Sequence, residues 1–180
     1  MSKRKEILLG GLGGQGVILA AVLLGQAAVE DGQFAAGSNS YGAQARGSSC
    51  KAEVVMAPDE IDYPHAETPD LFVAMSQGAY DAYAEEVASG GVILYDSGLV
   101  TPRGLRKEVG FKVTAQVLEE LGNKQVANVF WVGLAAGYTG WFTDAALAKV
   151  VEDTVPERFR ELNLKALEQG LSLGRSVKEG

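Results

Sequence analysis

The residues best suited to chemistry are Gly11-Leu12-Gly13-Gly14-Gln15-Gly16. Their spacing matches G-x-G-x-x-G, in which the glycines let a strand turn sharply into a helix and leave N–H groups at the helix N-terminus facing phosphate oxygens. Gly11, Gly13, Gly14, Gln15 and Gly16 are therefore candidate cofactor-binding residues. A nicotinamide dinucleotide needs a second anchor, an acidic residue at the end of the second strand that holds the ribose hydroxyls. Here that position falls near Gly37 to Asn39, while Glu30 and Asp31 precede the second strand. Two readings of the glycines stay open: phosphate contact, or only a tight turn with close helix-to-strand packing.

A second candidate stretch runs from Ser38 to Ser49. It has no apolar period, exceeds usual connection lengths, and reads as a long polar loop of the kind that is more often functional than idle. Arg46 is its only charged side chain. A guanidinium there fits a coenzyme phosphate or a partner carboxylate, and equally a solvated loop. Ser40, Tyr41 and Arg46 join the candidate binding set, and Asn39 is an ordinary turn residue that could orient a ligand. Cys50 reads as a small buried residue, and His65, the single histidine, as a surface loop residue without a matched nucleophile. No catalytic residue and no metal ligand set is expected.

These candidates need elements to position them. Glu6 to Leu9 reads as a strand, Val17 to Val29 as a helix, Gln33 to Ala36 as a short strand, and Lys51 to Met56, Leu71 to Met75, Val92 to Tyr95 and Phe111 to Val113 as further strands. Ser76 is a good N-cap for a helix carrying Tyr80, Tyr83 and Val87, which Gly90-Gly91 stops. Thr114 is placed to cap a helix over Gln116 to Leu121 that Asn123 ends, and Thr143-Asp144 opens another. Asn128 to Tyr138 is apolar on all sides and predicts a buried helix. Thr154-x-x-Glu157 has the form of a capping box, with Val155, Phe159, Leu162 and Ala166 on one stripe and Gly170 at the end. Strand and helix alternate throughout, so the expected fold is α/β: a single Rossmann-like domain with a mostly parallel sheet flanked by helices, over residues 1–174, with a frayed tail at 175–180. The aromatic concentration at Phe130, Trp131, Tyr138, Trp141 and Phe142 reads as core, with an apolar patch for a partner as the alternative.

Bulk properties narrow the function. The 180 residues carry a formal charge of −7 with dispersed lysine and arginine, which argues against nucleic acid. The N-terminal apolar run is broken by glycines and Gln15, unlike a signal peptide or membrane span, so a cytoplasmic protein is expected. One cysteine cannot hold an iron-sulfur cluster, which takes about four thiolates.

Gly11 to Val17 resembles the G-x-G-G-Q-G-[VI] start of the gamma subunit, or gamma domain, of 2-oxoacid:ferredoxin oxidoreductases. Ser40-Tyr41-Gly42-Ala43-Gln44-Ala45-Arg46-Gly47 is similar to that family's S-Y-G-x-x-x-R-G loop, and Ser49 to Val54 to the strand after it. Similarity continues through Glu60-Ile61-Asp62-Tyr63-Pro64, Asn123-Lys124 with Asn128, and Val155-Pro156 to Asn163 and Gly170. Glu-Ile-Asp-Tyr-Pro and Cys-Lys-Ala-Glu-Val look most like the 2-oxoglutarate branch. Ala43 departs from the proline found in many relatives. The resemblance implies one subunit of an enzyme that decarboxylates a 2-oxoacid oxidatively on thiamine diphosphate, reduces ferredoxin and forms an acyl-coenzyme A. It implies that thiamine diphosphate, magnesium and iron-sulfur clusters sit in alpha and beta subunits, with a delta subunit as a further candidate. This chain would supply assembly and a share of the coenzyme A channel. The rival expectation is a stand-alone Rossmann-like nucleotide-binding protein.

Overall fold

The computed structural model describes residues 4–41 and 48–178. Six strands form one sheet in the order β2-β3-β1-β4-β5-β6. They are β1 (Lys5–Leu12), β2 (Phe34–Tyr41), β3 (Ser49–Ala57), β4 (Leu71–Ala74), β5 (Val92–Asp96) and β6 (Lys107–Phe111). β1, β4, β5 and β6 pair in parallel, while β3 is antiparallel to both β1 and β2. The sheet is thus mostly parallel, as expected, with one reversed strand wedged between the first two. The central β4 is buried at every position, which suits a continuous apolar run covered on both faces.

The helices are α1 (Val17–Glu30), α2 (Gln77–Tyr83), α3 (Val113–Leu121), α4 (Ala127–Thr139), α5 (Asp144–Thr154) and α6 (Glu157–Lys178). One sheet face packs on a large core that includes residues of α1, α3, α4, α5 and α6. The other is covered more thinly by α2, whose Ala79 and Tyr80 pack on Leu8, Phe72 and Ile93. Helix α4 is buried from Asn128 to Tyr138 because it lies between the sheet side and α6, so its sequence needs no polar face. Phe130 and Trp131 belong to this core, which settles the aromatic concentration as packing.

Helices α4 and α6 run side by side in the same direction along a seam of glycines. A Cβ at Gly133 would stand 2.2 Å from the Leu167 carbonyl oxygen, and one at Gly170 would stand 2.2 Å from that of Phe130. Gly137 and Gly174 meet the Leu171 and Leu134 carbonyls in the same way, each at 2.3 Å. Gly170 therefore lies inside α6, not at its end: it removes a side chain so that two backbones can touch.

Other expectations shift for comparable reasons. β2 continues through Ser38, Asn39 and Ser40 to Tyr41, so the polar stretch is not a loop from Ser38 onward. Pairing with β3 makes it a strand, Ser38 opposite Glu53 and Ser40 opposite Lys51, without an apolar period to announce it. β6 begins and ends before Val113, which instead opens α3, and Thr114 does not cap that helix; its N–H and Oγ both donate to buried Asp96 Oδ2, at 2.9 and 2.6 Å. Gly122, in the left-handed conformation, closes α3, and Asn123 caps the short 3-10 turn that follows. Thr154 ends α5 and its Oγ donates to Gln26 Oε1 at 3.1 Å, so no capping box forms; α6 starts after Pro156, and Phe159 is exposed. α6 runs on past Gly174 to Lys178, with Arg175 on Asp144 and Lys178 Nζ on the Thr139 carbonyl. Ser76 and Thr143 cap α2 and α5 as predicted.

Candidate functional site at the glycine loop

The glycine loop sits between β1 and α1, as its spacing requires. Gly14 (φ 96°) and Gly16 (φ 72°) take backbone conformations that L side chains rarely adopt. Gly16 has a second reason to lack a side chain. Buried Asn128, at the start of α4, lies against it, and a Cβ would meet Asn128 Nδ2 at 2.5 Å. No side chain caps the N-terminus of α1 and no acidic residue lies in its first turn. The first N–H groups of this helix thus have no side-chain cap and no carboxylate beside them, and Gly14 next to them is exposed, an arrangement favourable to an anion.

The Gln15 amide is engaged within the chain on both of its polar atoms. Its Oε1 accepts the Leu12 N–H at 2.7 Å, and its Nε2 donates to the Met75 carbonyl at 3.0 Å. The amide therefore bridges the turn after β1 to the end of β4, across the crevice in which open α/β sheets place ligands. A side chain at Gly11 would collide with Gln15 Oε1 at 2.6 Å, so the Gly11 and Gln15 positions work as a pair.

The second motif converges on the same place. Cys50 of β3 is paired with Gly11 on one side and Tyr41 on the other, and the Gly13 N–H donates to the Ser48 carbonyl at 2.8 Å. The two ends of the segment 42–47 are therefore anchored beside the glycine loop. Arg46 itself lies outside the described residues, as do Gly42 to Gly47. Ser40 is exposed near the end of β2, and Asn39 points to a groove beside α1.

Two supporting groups escaped the sequence reading. Glu53 is buried on β3 and accepts from Ser38 Oγ at 2.6 Å and Lys51 Nζ at 2.9 Å, with His65 Nδ1 at 3.1 Å. Burial alone would raise its pKa, but the hydrogen bonds from Ser38, Lys51 and His65 together hold the carboxyl below its ordinary value. It ties the strand pair bearing segment 42–47 to the strap that carries His65, which is half-exposed as expected of a loop residue. Asn128 is the other; a buried asparagine at a helix start gives no local signal of the glycine it covers. Cys50 is buried, and burial pushes its thiol pKa up, which makes it unreactive.

The topology argues against a stand-alone dinucleotide protein. β3 separates β2 from β1, so β2 is not the sheet neighbour of the strand that leads into the glycine loop, and its last residues, Asn39 to Tyr41, include no acidic one. Comparison with known proteins identifies the group instead. Residues 6–173 match the model of the pyruvate ferredoxin/flavodoxin oxidoreductase family. The chain belongs to this family.

Among its relatives, the 2-oxoglutarate synthase subunit KorC of Methanocaldococcus jannaschii is 38% identical over 97% of this chain and 96% of its own length. The crystal structure of a keto/oxoacid ferredoxin oxidoreductase gamma subunit from Geobacter sulfurreducens superposes with a TM-score of 0.84 at 36% identity, covering 96% of this chain and 99% of that one. The fold also recurs inside a larger chain. A 2-oxoglutarate:ferredoxin oxidoreductase from Magnetococcus marinus, solved with 2-oxoglutarate, coenzyme A and succinyl-CoA bound, matches with a TM-score of 0.87 at 19% identity, covering 98% of this chain but 32% of that one. As a gamma-type family member, this chain is a subunit of an oxidoreductase complex. No helix among the described residues is long and apolar enough to cross a membrane.

Proposed function

We propose that this chain is the gamma subunit of a 2-oxoglutarate:ferredoxin oxidoreductase and that its glycine loop helps to hold coenzyme A. The observation that carries the branch assignment is the 38% identity to a 2-oxoglutarate synthase subunit over 97% of the chain. The coenzyme reading is supported by the uncapped N-terminus of α1 beside Gly14 and by the absence of acidic residues in its first turn. Coenzyme A supplies the thiol that accepts the acyl group. Gly14, Gly16 and the first turn of α1 hold a phosphate or an amide oxygen through N–H groups, while Gly11, Gly13 and Gln15, whose polar groups pair within the chain, set the loop's shape. Ser40, Tyr41 and Arg46, the one cation of their segment, complete the set of residues assigned to coenzyme A.

The central redox chemistry belongs to partner subunits. The sequence has one cysteine, and among the described residues no group of three His, Cys, Asp or Glu side chains could hold a metal ion. Alpha and beta subunits supply the sites for thiamine diphosphate, magnesium and clusters, and ferredoxin is reached through them. Native purification from a cytoplasmic extract tests the reading. The tagged chain should bring down larger thiamine-bearing chains, and the preparation should reduce ferredoxin only with 2-oxoglutarate and coenzyme A present. An isolated chain that binds NAD tightly, or activity with pyruvate alone, would refute it.

A further inference from the structure

Over the face of the outer strands β2 and β3 lies a groove of about 580 Å³, walled by α1 and α5. β2 is the outermost strand, and its residues from Phe34 to Tyr41 include no charged side chain and no proline. Sheet edges exposed to solvent are normally blunted by such residues, because open N–H and C=O groups invite another strand. Val22, Val29 and Phe34 nearby are exposed by 41%, 56% and 47%.

Two glycines in the groove are not explained by the chain's own packing. Gly25 lies inside α1, where glycine is less stable than alanine, yet a Cβ there would find only Val54 Cγ1 at 3.8 Å. A Cβ at Gly37 of β2 would meet the Glu53 carbonyl oxygen at 3.4 Å, an ordinary contact. Both positions have room for a side chain, and their absence keeps the groove open.

The charges say what kind of group fits. Glu30 stands in the last turn of α1, and Glu152 and Asp153 in that of α5, and neither turn has a basic residue. A helix C-terminus is already negative, so these carboxylates repel it. Lys149 reaches Glu30 at 2.6 Å and Asp153 at 3.5 Å and offsets one charge, while the groove lining contains no lysine or arginine. A second copy of this chain would bring the same carboxylates and a net charge of −7.

We infer that an extended segment of another subunit of the oxidoreductase pairs with the free edge of β2 and sends alternate apolar side chains into the groove, with a lysine or arginine directed at Glu30 and Asp153. A strand is the occupant that uses the open main-chain groups of β2 as well as the side-chain space. The inference rests on the subunit reading above.

The test uses the complex purified through this chain, with two variants: Gly25→Leu, which fills the groove, and Glu30→Lys with Asp153→Lys, which reverses its rim. Both variant chains should retain the wild-type circular dichroism. Recovery of the larger subunits should fall at least about tenfold for each, and amides of residues 34–40 should exchange more slowly in the wild-type complex than in the free chain. Wild-type recovery of the larger subunits by either folded variant would overturn the inference and leave the subunit reading intact. Equal exchange of β2 in complex and free chain would overturn it too, as would a wild-type chain whose β2 is protected in a homodimer. If the wild-type chain itself recovers no larger subunit, the subunit reading fails and this inference with it.

Discussion

Gly170 and Gly25 both lie inside helices, and the structure gives the same substitution opposite signs at the two positions. At Gly170 a Cβ would lie 2.2 Å from the Phe130 oxygen and 2.8 Å from the Leu134 nitrogen, both backbone atoms that cannot rotate away. Ordinary contact is roughly 3.5 Å, so α4 and α6 must separate by about 1 Å along a seam where Gly133, Gly137 and Gly174 make equally close approaches. Overpacking of this kind costs about 1–3 kcal/mol, and the better helix propensity of alanine returns about 0.5–1 kcal/mol. The expected net loss for Gly170→Ala is about 1–2 kcal/mol, a fall in Tm of roughly 2–8 °C for a chain of this size. At Gly25 the nearest atom is Val54 Cγ1 at 3.8 Å, so only the helix gain remains. Gly25→Ala should therefore raise Tm by roughly 1–4 °C. Thermal melts of the full chain followed by circular dichroism, with urea titrations as a check on the sign, decide the matter. A neutral or stabilising Gly170→Ala would show that the seam is looser than described, and a destabilising Gly25→Ala would show that the groove is closed in solution.

Gln15→Glu keeps the acceptor for the Leu12 N–H but sets a carboxylate against the Met75 carbonyl, and Gln15→Ala removes both bonds. With roughly 1 kcal/mol per bond, or about fivefold in affinity, the KM for coenzyme A of the assembled enzyme should rise while kcat holds; an unchanged KM in both variants would sink the bridging role. Arg46→Ala should raise the same KM without loss of assembly, measured by steady-state kinetics and gel filtration; unchanged kinetics would reduce Arg46 to a solvated residue. Glu53 has a depressed folded-state pKa, so its stabilisation is present above its ordinary value of 4.5 and is lost as pH falls through the folded value. Glu53→Gln should flatten the acid limb of the stability profile below that pH, whereas parallel urea profiles for the two proteins would contradict the assigned partners. Cys50, buried with a raised pKa, should react with iodoacetamide near neutral pH only after denaturation, and prompt labelling of the native chain would place it at the surface.

The residues alone settled much of this protein. Gly11 to Gly16 announced a strand, turn and helix because the turn is local, and the all-apolar segment from Asn128 to Tyr138 announced a buried helix because only a helix enclosed on every side can omit a polar face. The resemblance of Gly11 to Val17 and of Ser40 to Gly47 to known motifs pointed to the family that the match over residues 6–173 shows. Long-range pairing decided the rest. Ser38 to Tyr41 became a strand only through β3, and Thr114 left its expected cap for Asp96, a residue distant in sequence. Gly170 looked like a helix stop, since a glycine that ends a helix and one that admits a neighbouring backbone have the same local sequence, and only the carbonyl of Phe130 tells them apart. Gln15 stood in the sequence as a ligand contact, and only the fold shows that its amide also bonds the Met75 carbonyl, brought beside it by β4. Sequence determined most of the elements and the family they resemble; tertiary contacts determined which polar groups pair within the chain, because burial and pairing are made between segments that the chain itself keeps far apart.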